Sequence, residues 1–257
     1  IASDSEIKTQ EVAEISRYLA RRWEHHWQYS PDKIINVENL CDVVDAIYPK
    51  ITDKRSFIAI KSAKATRKTR SLIKWLAANP VGVVDIGCTN SLLRSKDEDF
   101  SAAGILSLHI HDARGDDWHL MKAPNIALHL CADSLHKISV DDVIGKYIIL
   151  DEATQVIEHL LIGSTCKQRR DALVTKFIGI LKVCLGVVCL ESELNDRVVD
   201  FIAKLGNFSD DCITKIENTF IPKHRDIYLY NGSADETSKQ NEWDYKPLLL
   251  DTCQSIG

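Results

Sequence analysis

The chain predicts an α/β protein: one doubly wound, mostly parallel sheet flanked by helices, with a helical lead-in at the N-terminus. Three observations predict it. Short apolar runs of strand length alternate with amphipathic stretches of helix length. Polar, chemistry-bearing residues follow directly on those runs, where an open sheet carries its ligands. The 257 residues are 45% hydrophobic, enough for one large core, and no internal repeat or low-complexity segment interrupts them.

In order, Glu6 to Gln28 reads as a helix, with Val12, Ile15, Leu19, Trp23 and Trp27 recurring at three and four residues. His25-His26 beside the two tryptophans could serve a base or a metal, but an aromatic face packed on the main domain is the plainer reading. A second helix fits Val37 to Tyr48 and stops at Pro49. Phe57 to Ile60 reads as a buried strand, followed by a polar loop and a helix with Leu72, Ile73 and Leu76 on one face. Val81 to Ile86 is the next strand, and Ile105 to Ile110 and Ile126 to Leu130 are further apolar runs between polar loops, one of them the charged 112–118. On a strand, His109 and His111 point to one face; a shared metal would need a third ligand in a loop. Tyr147 to Leu150 runs straight into Asp151-Glu152 and a helix from Ala153 to Leu161. A helix from Gln168 to Val183 leads to the strand Gly186 to Leu190 and the acidic turn Glu191-Ser-Glu193. Asn195 or Asp196 caps a helix to Leu205. Two strands, Cys212 to Glu217 and Asp226 to Tyr230, precede a polar tail and a last helix over Lys246 to Ile256.

The net charge of −5 excludes a global basic field, so a nucleic-acid ligand would need a local groove. Eight cysteines lie scattered without a C-x-x-C pair, which reads as reduced thiols of a cytoplasmic protein. No signal peptide is present and no apolar run is long enough to span a bilayer, so no membrane partner is expected. A start at Ile1 rather than Met suits a piece of a longer protein.

Chemistry concentrates between Lys61 and Lys74. Six basic residues (Lys61, Lys64, Arg67, Lys68, Arg70, Lys74) crowd a strand end and the start of a helix. Cations oppose the positive end of the helix dipole, unless an anion sits there on free N–H groups. Lys68-Thr69 stands in the frame of a phosphate-binding loop, G-x-x-x-x-G-K-[ST], whose glycines would fall at Ser62 and Arg67 and are absent. Alone this is an ordinary helix start with a solvated basic face. About eighty residues on, however, an apolar strand ends in Asp151-Glu152, and the two motifs in this order form the halves of a nucleotide-hydrolysis site. Lys68 would neutralise the β- and γ-phosphates and Thr69 would ligate Mg²⁺. Asp151 would hold that ion through water and Glu152, the catalytic residue, would orient the attacking water.

Several blocks then match a known family in order. The chain resembles the replication proteins of cyanobacterial plasmids and related phages. These carry a superfamily 2 helicase-like motor akin to the herpesvirus origin-binding helicase. Ile60-Lys-Ser-Ala-Lys-Ala-Thr-Arg-Lys-Thr69 resembles the family's Ile-Lys-Ser-Pro-Lys-Gly-Thr-Gly-Lys-Thr, and Ile86-Gly-Cys-Thr-Asn-Ser-Leu92 its Ile-Gly-His-Arg-x-Ser-Leu. Cys131-Ala-Asp-Ser-Leu-His136 is similar to Cys-x-Asp-Ser-Leu-His, and Leu150-Asp-Glu-Ala-Thr-Gln-Val156 to Leu-Asp-Glu-x-x-Gln-Val. Leu190-Glu-Ser-Glu-Leu-Asn-Asp196 sits where the family has Asp-Ala-Asp-Leu-Ser-Asp, and Arg225 to Tyr230 matches a strand beyond. The resemblance implies a single RecA-like P-loop NTPase domain, with residues 1–52 as a helical segment and 53–257 as the first motor domain. ATP and Mg²⁺ are the implied cofactors. Ser62, Lys64, Lys68, Thr69 and Asp151 would bind nucleotide, with Thr69 and Asp151 on the metal. Ser91, Ser134, His136 and Lys137 would meet DNA, single-stranded or at a replication origin, and other replication proteins would be partners. A second motor domain, supplying an arginine to the cleft, begins beyond this chain.

The departures matter as much. Ala65 and Arg67 replace two loop glycines, Ala63 a proline, and Cys88-Thr89 a His-Arg pair whose arginine would meet a nucleic-acid phosphate. Glu191 and Glu193 stand for aspartates and Asn195 for a serine. Two non-glycine residues in strained backbone imply nucleotide binding weakened by roughly two to four decades and ATP hydrolysis at or below background. The functional expectation is a DNA-replication motor domain that binds nucleotide and DNA with impaired hydrolysis. The alternatives are an inactive helicase-like DNA-binding or assembly module, or an unrelated α/β domain that takes another phosphorylated ligand.

Overall fold

A computed structural model of the chain describes residues 9–21, 28–51, 54–222, 228–233 and 244–249. Eight strands form one sheet: β1 (Lys33–Ile35), β2 (Ser56–Ser62), β3 (Val83–Gly87), β4 (Ser107–His109), β5 (Ala127–Cys131), β6 (Tyr147–Asp151), β7 (Gly186–Glu191) and β8 (Ile213–Asn218). Their spatial order is β1-β8-β2-β7-β6-β3-β5-β4 and every pairing is parallel. The predicted α/β class is therefore present as a single parallel sheet flanked by helices. Between β2 and β6 the chain inserts β7 last, so the two motif-bearing strands straddle it. Ile60 pairs with Leu190, Leu150 with Cys189 and Ile86 with Leu150, so all four strands end at one edge of the sheet.

Helices cover both faces, which is why the central strands read as continuous apolar runs. Phe57, Ala59, Val84, Ile86, Ile148 and Leu150 face one core, under α1 (Thr9–Arg21), α5 (Ala153–Ile162), α6 (Arg170–Val183) and α7 (Asp196–Gly206). Ile58, Ile60, Ile149, Val188 and Leu190 face the other, under α2 (Val44–Ile47), α3 (Lys68–Ala78) and α4 (Asn90–Ala102). The alternation follows from the two-residue period of a strand.

Differences from the sequence reading fall at the ends and in α4. Of the N-terminal helix, α1 is described; Trp23, His25, His26 and Trp27 lie outside the described residues. Within α1, Val12 is 49% exposed while Tyr18 is buried and stacks on Phe201 at 4.4 Å. The second predicted helix resolves into a 3-10 turn at Leu40–Val43 and the short α2, with β1 before them. Asn90–Ala102, unassigned from the sequence, is a helix of thirteen residues. The charged 112–118 leads into a 3-10 turn at Gly115–Lys122.

The segment from Pro222 forms a second unit. In it β9 (Tyr228–Ser233) and β10 (Asp244–Leu249) pair antiparallel, Tyr245 opposite Gly232 and Leu248 opposite Leu229. Of the last helix expected over Lys246 to Ile256, residues 246–249 are corrected to a strand and the remainder lies outside the described residues: Pro247 cannot donate to a helix ladder but is tolerated in a two-stranded ribbon. The seven described cysteines are free, and among the described residues no helix is long and apolar enough to cross a membrane.

Candidate nucleotide and nucleic-acid site

The loop between β2 and α3 holds two non-glycine residues in left-handed backbone. Ala65 has φ 68° and Arg67 φ 60°, both left-handed, at the two positions where the family pattern carries glycine. Among the described residues only four non-glycine positions have positive φ, and a third, Glu152, directly follows the end of β6 at the same edge of the sheet. Left-handed backbone costs a non-glycine residue about 1–2 kcal/mol. Three such residues together mark a place whose shape the rest of the fold imposes.

Side chains brace the turn from within. Ser62, 1% exposed, meets the Thr66 hydroxyl at 2.7 Å, and Thr66 donates to the Ala63 carbonyl at 2.8 Å. From β8, the Asn218 amide donates to Ser62 Oγ at 3.0 Å and to the Val37 carbonyl at 2.8 Å, while its oxygen accepts from Val37 N. Leu40 N donates to Thr66 O at 3.1 Å, so the lead-in segment is buttoned onto the loop. The Lys68 ammonium folds back on the carbonyls of Ser62 (2.9 Å) and Ala63 (3.2 Å). Burial pulls its pKa below the usual lysine value against the opposing carboxylates Glu152 and Asp151. Lys64 and Arg67 are exposed at the loop tip, and the first turn of α3 holds no acid.

Across the cleft, Thr69 Oγ1 donates to Asp151 Oδ2 at 3.1 Å, joining the two motifs read from the sequence. Burial raises the Glu152 pKa and Asp151 adds to the shift, with Lys68 opposing. Glu191, ending β7, accepts from Thr154 N (3.0 Å) and Thr154 Oγ1 (2.8 Å) and so pins the first turn of α5; burial raises its pKa as well.

A third participant was invisible in the motif reading. Lys96 on α4 reaches Asp151 Oδ2 at 3.0 Å and Asp85 at 3.2 and 3.3 Å, and its side chain is 6% exposed. Burial alone would discharge it, but Asp85 and Asp151 outweigh burial and raise its pKa. Asp85, in the middle of β3, is pushed up by burial yet held below the usual value by Lys96 and by His129 Nδ1 at 2.9 Å. His129 Nε2 meets Ser107 Oγ at 3.1 Å. A polar chain thus crosses the sheet under α3 and α4, from the β4 edge to the phosphate loop. Asp85 and His129 sit in otherwise apolar strands, and that pattern was the available signal for a buried cation.

This donor set does not fit Mg²⁺. The Asp151 oxygen that faces Thr69 already holds an ammonium, and the Thr69 hydroxyl is spent on that same oxygen.

The residues expected on DNA fall beside the cleft, past the ends of β3 and β5. Cys131 Sγ donates to Asn90 Oδ1 at 3.1 Å and brings the two blocks together. Ser91 and His136 are exposed. Lys137 Nζ donates to His111 Nδ1 at 3.1 Å, so His111 Nε2 carries the proton towards Ser134 Oγ at 3.3 Å. Ser134 itself is 4% exposed and supports this turn from inside rather than presenting its hydroxyl.

Sheet, loop and acidic strand end define the class: a parallel α/β domain that gathers its polar residues at the C-terminal edge of the strands. The chain belongs to the origin of replication binding protein family, whose profile matches residues 27–224. It is similar to the replication origin-binding protein of equine herpesvirus 1 (strain Ab4p), 25% identical over 162 residues, 60% of this chain and 18% of that protein. An uncharacterized protein of Picosynechococcus sp. is 26% identical over 256 residues, 85% of this chain and 23% of that one. The chain therefore spans about a fifth of the length of these relatives. Among solved structures, a hypothetical ATP-dependent RNA helicase from Sulfolobus tokodaii superposes with a TM-score of 0.48 at 10% identity, over 80% of this chain and 56% of that one. The UvsW helicase from bacteriophage T4 gives 0.44 at 14% identity, over 82% and 69%.

Proposed function

We propose that this chain is a helicase-like motor domain of a replication protein, one that holds ATP phosphates and DNA and hydrolyses ATP poorly. The observation that carries the reading is the left-handed backbone at Ala65 and Arg67. A sequence without the glycines still adopts the turn, and it does so beside Lys68, Thr69 and the Asp151-Glu152 strand end. A fold has no reason to bear that strain in a solvated helix start, and consecutive N–H groups in such a turn make a concave seat for anions. Lys64, Arg67 and Arg70, exposed on the loop and the first turn of α3, favour an anion there.

Poor turnover follows from the same residues. Lys68 is engaged on the loop's own carbonyls and Asp151 by Thr69 and Lys96, so the ammonium and the carboxylate that the reaction needs are already paired. DNA would lie past the ends of β3 and β5, over Ser91, His136 and Lys137, and would be held more weakly because Thr89 stands where the family has an arginine for a backbone phosphate. The experiment measures ATP binding by calorimetry, ATP turnover, and anisotropy of a labelled single-stranded oligonucleotide. Binding of both ligands with turnover at background supports the reading; DNA-stimulated hydrolysis well above background contradicts it.

A further inference from the structure

We propose that Lys96 is a resident cation that takes the place of a divalent metal at Asp151, so that nucleotide binding at this site does not depend on magnesium. The inference rests on the reading that the loop seats nucleotide phosphates. Lys96 arrives from α4, which is not part of either nucleotide motif. Its ammonium contacts both carboxylates, hydrogen-bonding Asp85 at 3.2 and 3.3 Å and pairing with Asp151 at 3.0 Å. Asp85, 1% exposed on β3, would by itself satisfy a lysine that only anchored α4. Instead the ammonium bridges onward to the one carboxylate oxygen that also takes the Thr69 hydroxyl. Thr69 and Asp151 are the two groups a P-loop site offers to its metal. Here both are bonded to each other, and the charge that neutralises the carboxylate comes from the chain itself.

A built-in ammonium differs from a metal in a testable way. It neutralises Asp151 beside the phosphates without chelating them, so it supports binding but offers no exchangeable ligand positions. Affinity for ATP in excess EDTA should therefore equal affinity with excess Mg²⁺ to within about twofold. In the paired change Lys96→Met with Asp85→Asn, which removes the buried charge together with its partner, ATP should bind about tenfold tighter with Mg²⁺ than with EDTA. Titration of Mn²⁺ without nucleotide, read by its paramagnetic resonance, is the independent arm. The unmodified protein should bind no Mn²⁺ at Asp151, whereas the paired change should bind it and lose it again when Asp151→Asn is added. Melting in the absence of ligand checks that the paired variant folds; if it does not, the measurements on the unmodified protein stand alone. Tighter ATP binding with Mg²⁺ in the unmodified protein, or Mn²⁺ binding there that Asp151→Asn removes, would overturn the proposal. So would a folded paired variant that shows no gain of metal dependence. If ATP fails to bind in every condition, the nucleotide reading itself is at fault, and the Mn²⁺ arm still decides whether Lys96 excludes a metal.

Discussion

Ala65, Arg67 and Glu152 carry strain for which their neighbours compensate, and each makes a measurable statement about stability. The fourth left-handed residue, Asn207, closes α7, where asparagine in that conformation is ordinary. Restoring glycine at 65 and 67 relieves left-handed backbone at the expense of a freer unfolded chain, a net gain of about 0.5–1 kcal/mol each. Ala65→Gly with Arg67→Gly should therefore raise the melting temperature by roughly 2–4 °C per kcal/mol gained. For Glu152 the sign follows from linkage. A carboxylate whose pKa is raised by folding costs stability above its folded pKa, and that cost vanishes below the unfolded value. Glu152→Gln should thus melt higher than the parent at neutral pH, and the advantage should disappear as the pH falls through the ordinary glutamate range. A constant difference across that range would count against burial as the cause. From the sequence one could read that the loop glycines were gone, but not that the backbone would keep their dihedrals. That depended on the Thr66 contacts inside the loop and on Asn218 and Leu40, which come from other elements.

At the level of elements, apolar periodicity located most strands and helices and failed at α4 for a specific reason. The buried positions of that helix are Leu93, Lys96 and Phe100, so its inward stripe contains a lysine and reads as broken. The missed helix and the missed site residue are one error, and Asp85 and His129 in apolar strands were its counterparts in the sequence. The C-terminal error differs: Lys246 to Ile256 has helical spacing, but pairing with β9 claimed residues up to Leu249. Asn218 gives the element-level prediction. It ties β8, the Val37 segment and the loop together through buried hydrogen bonds, and removing one partner strands the others. Asn218→Ala should cost about 2–3 kcal/mol in denaturant unfolding. It should also expose the Ser56–Thr69 region to faster amide exchange; a change under about 0.5 kcal/mol would show that the loop stands without this brace.

For the whole molecule, a net charge of −5 and a local basic edge predict weak, sequence-independent association with single-stranded DNA that falls steeply with salt. Binding that stays flat between low and moderate salt would remove the electrostatic footing of the DNA interface. The nucleotide site makes a sharper demand. Reading the loop from its sequence alone assigns the cost of two missing glycines to ligand binding, a loss of roughly two to four decades. In the folded chain both residues already have positive φ, so that cost falls on folding, and what remains at binding is the bulk of two side chains. Calorimetric titration of ATP into the unmodified chain and into Ala65→Gly with Arg67→Gly separates the two. A preformed phosphate seat predicts measurable ATP binding by the unmodified chain and a gain of only about tenfold for the double change. No heat of binding in either protein, or a gain of about a thousandfold or more, would contradict a seat that the fold holds ready.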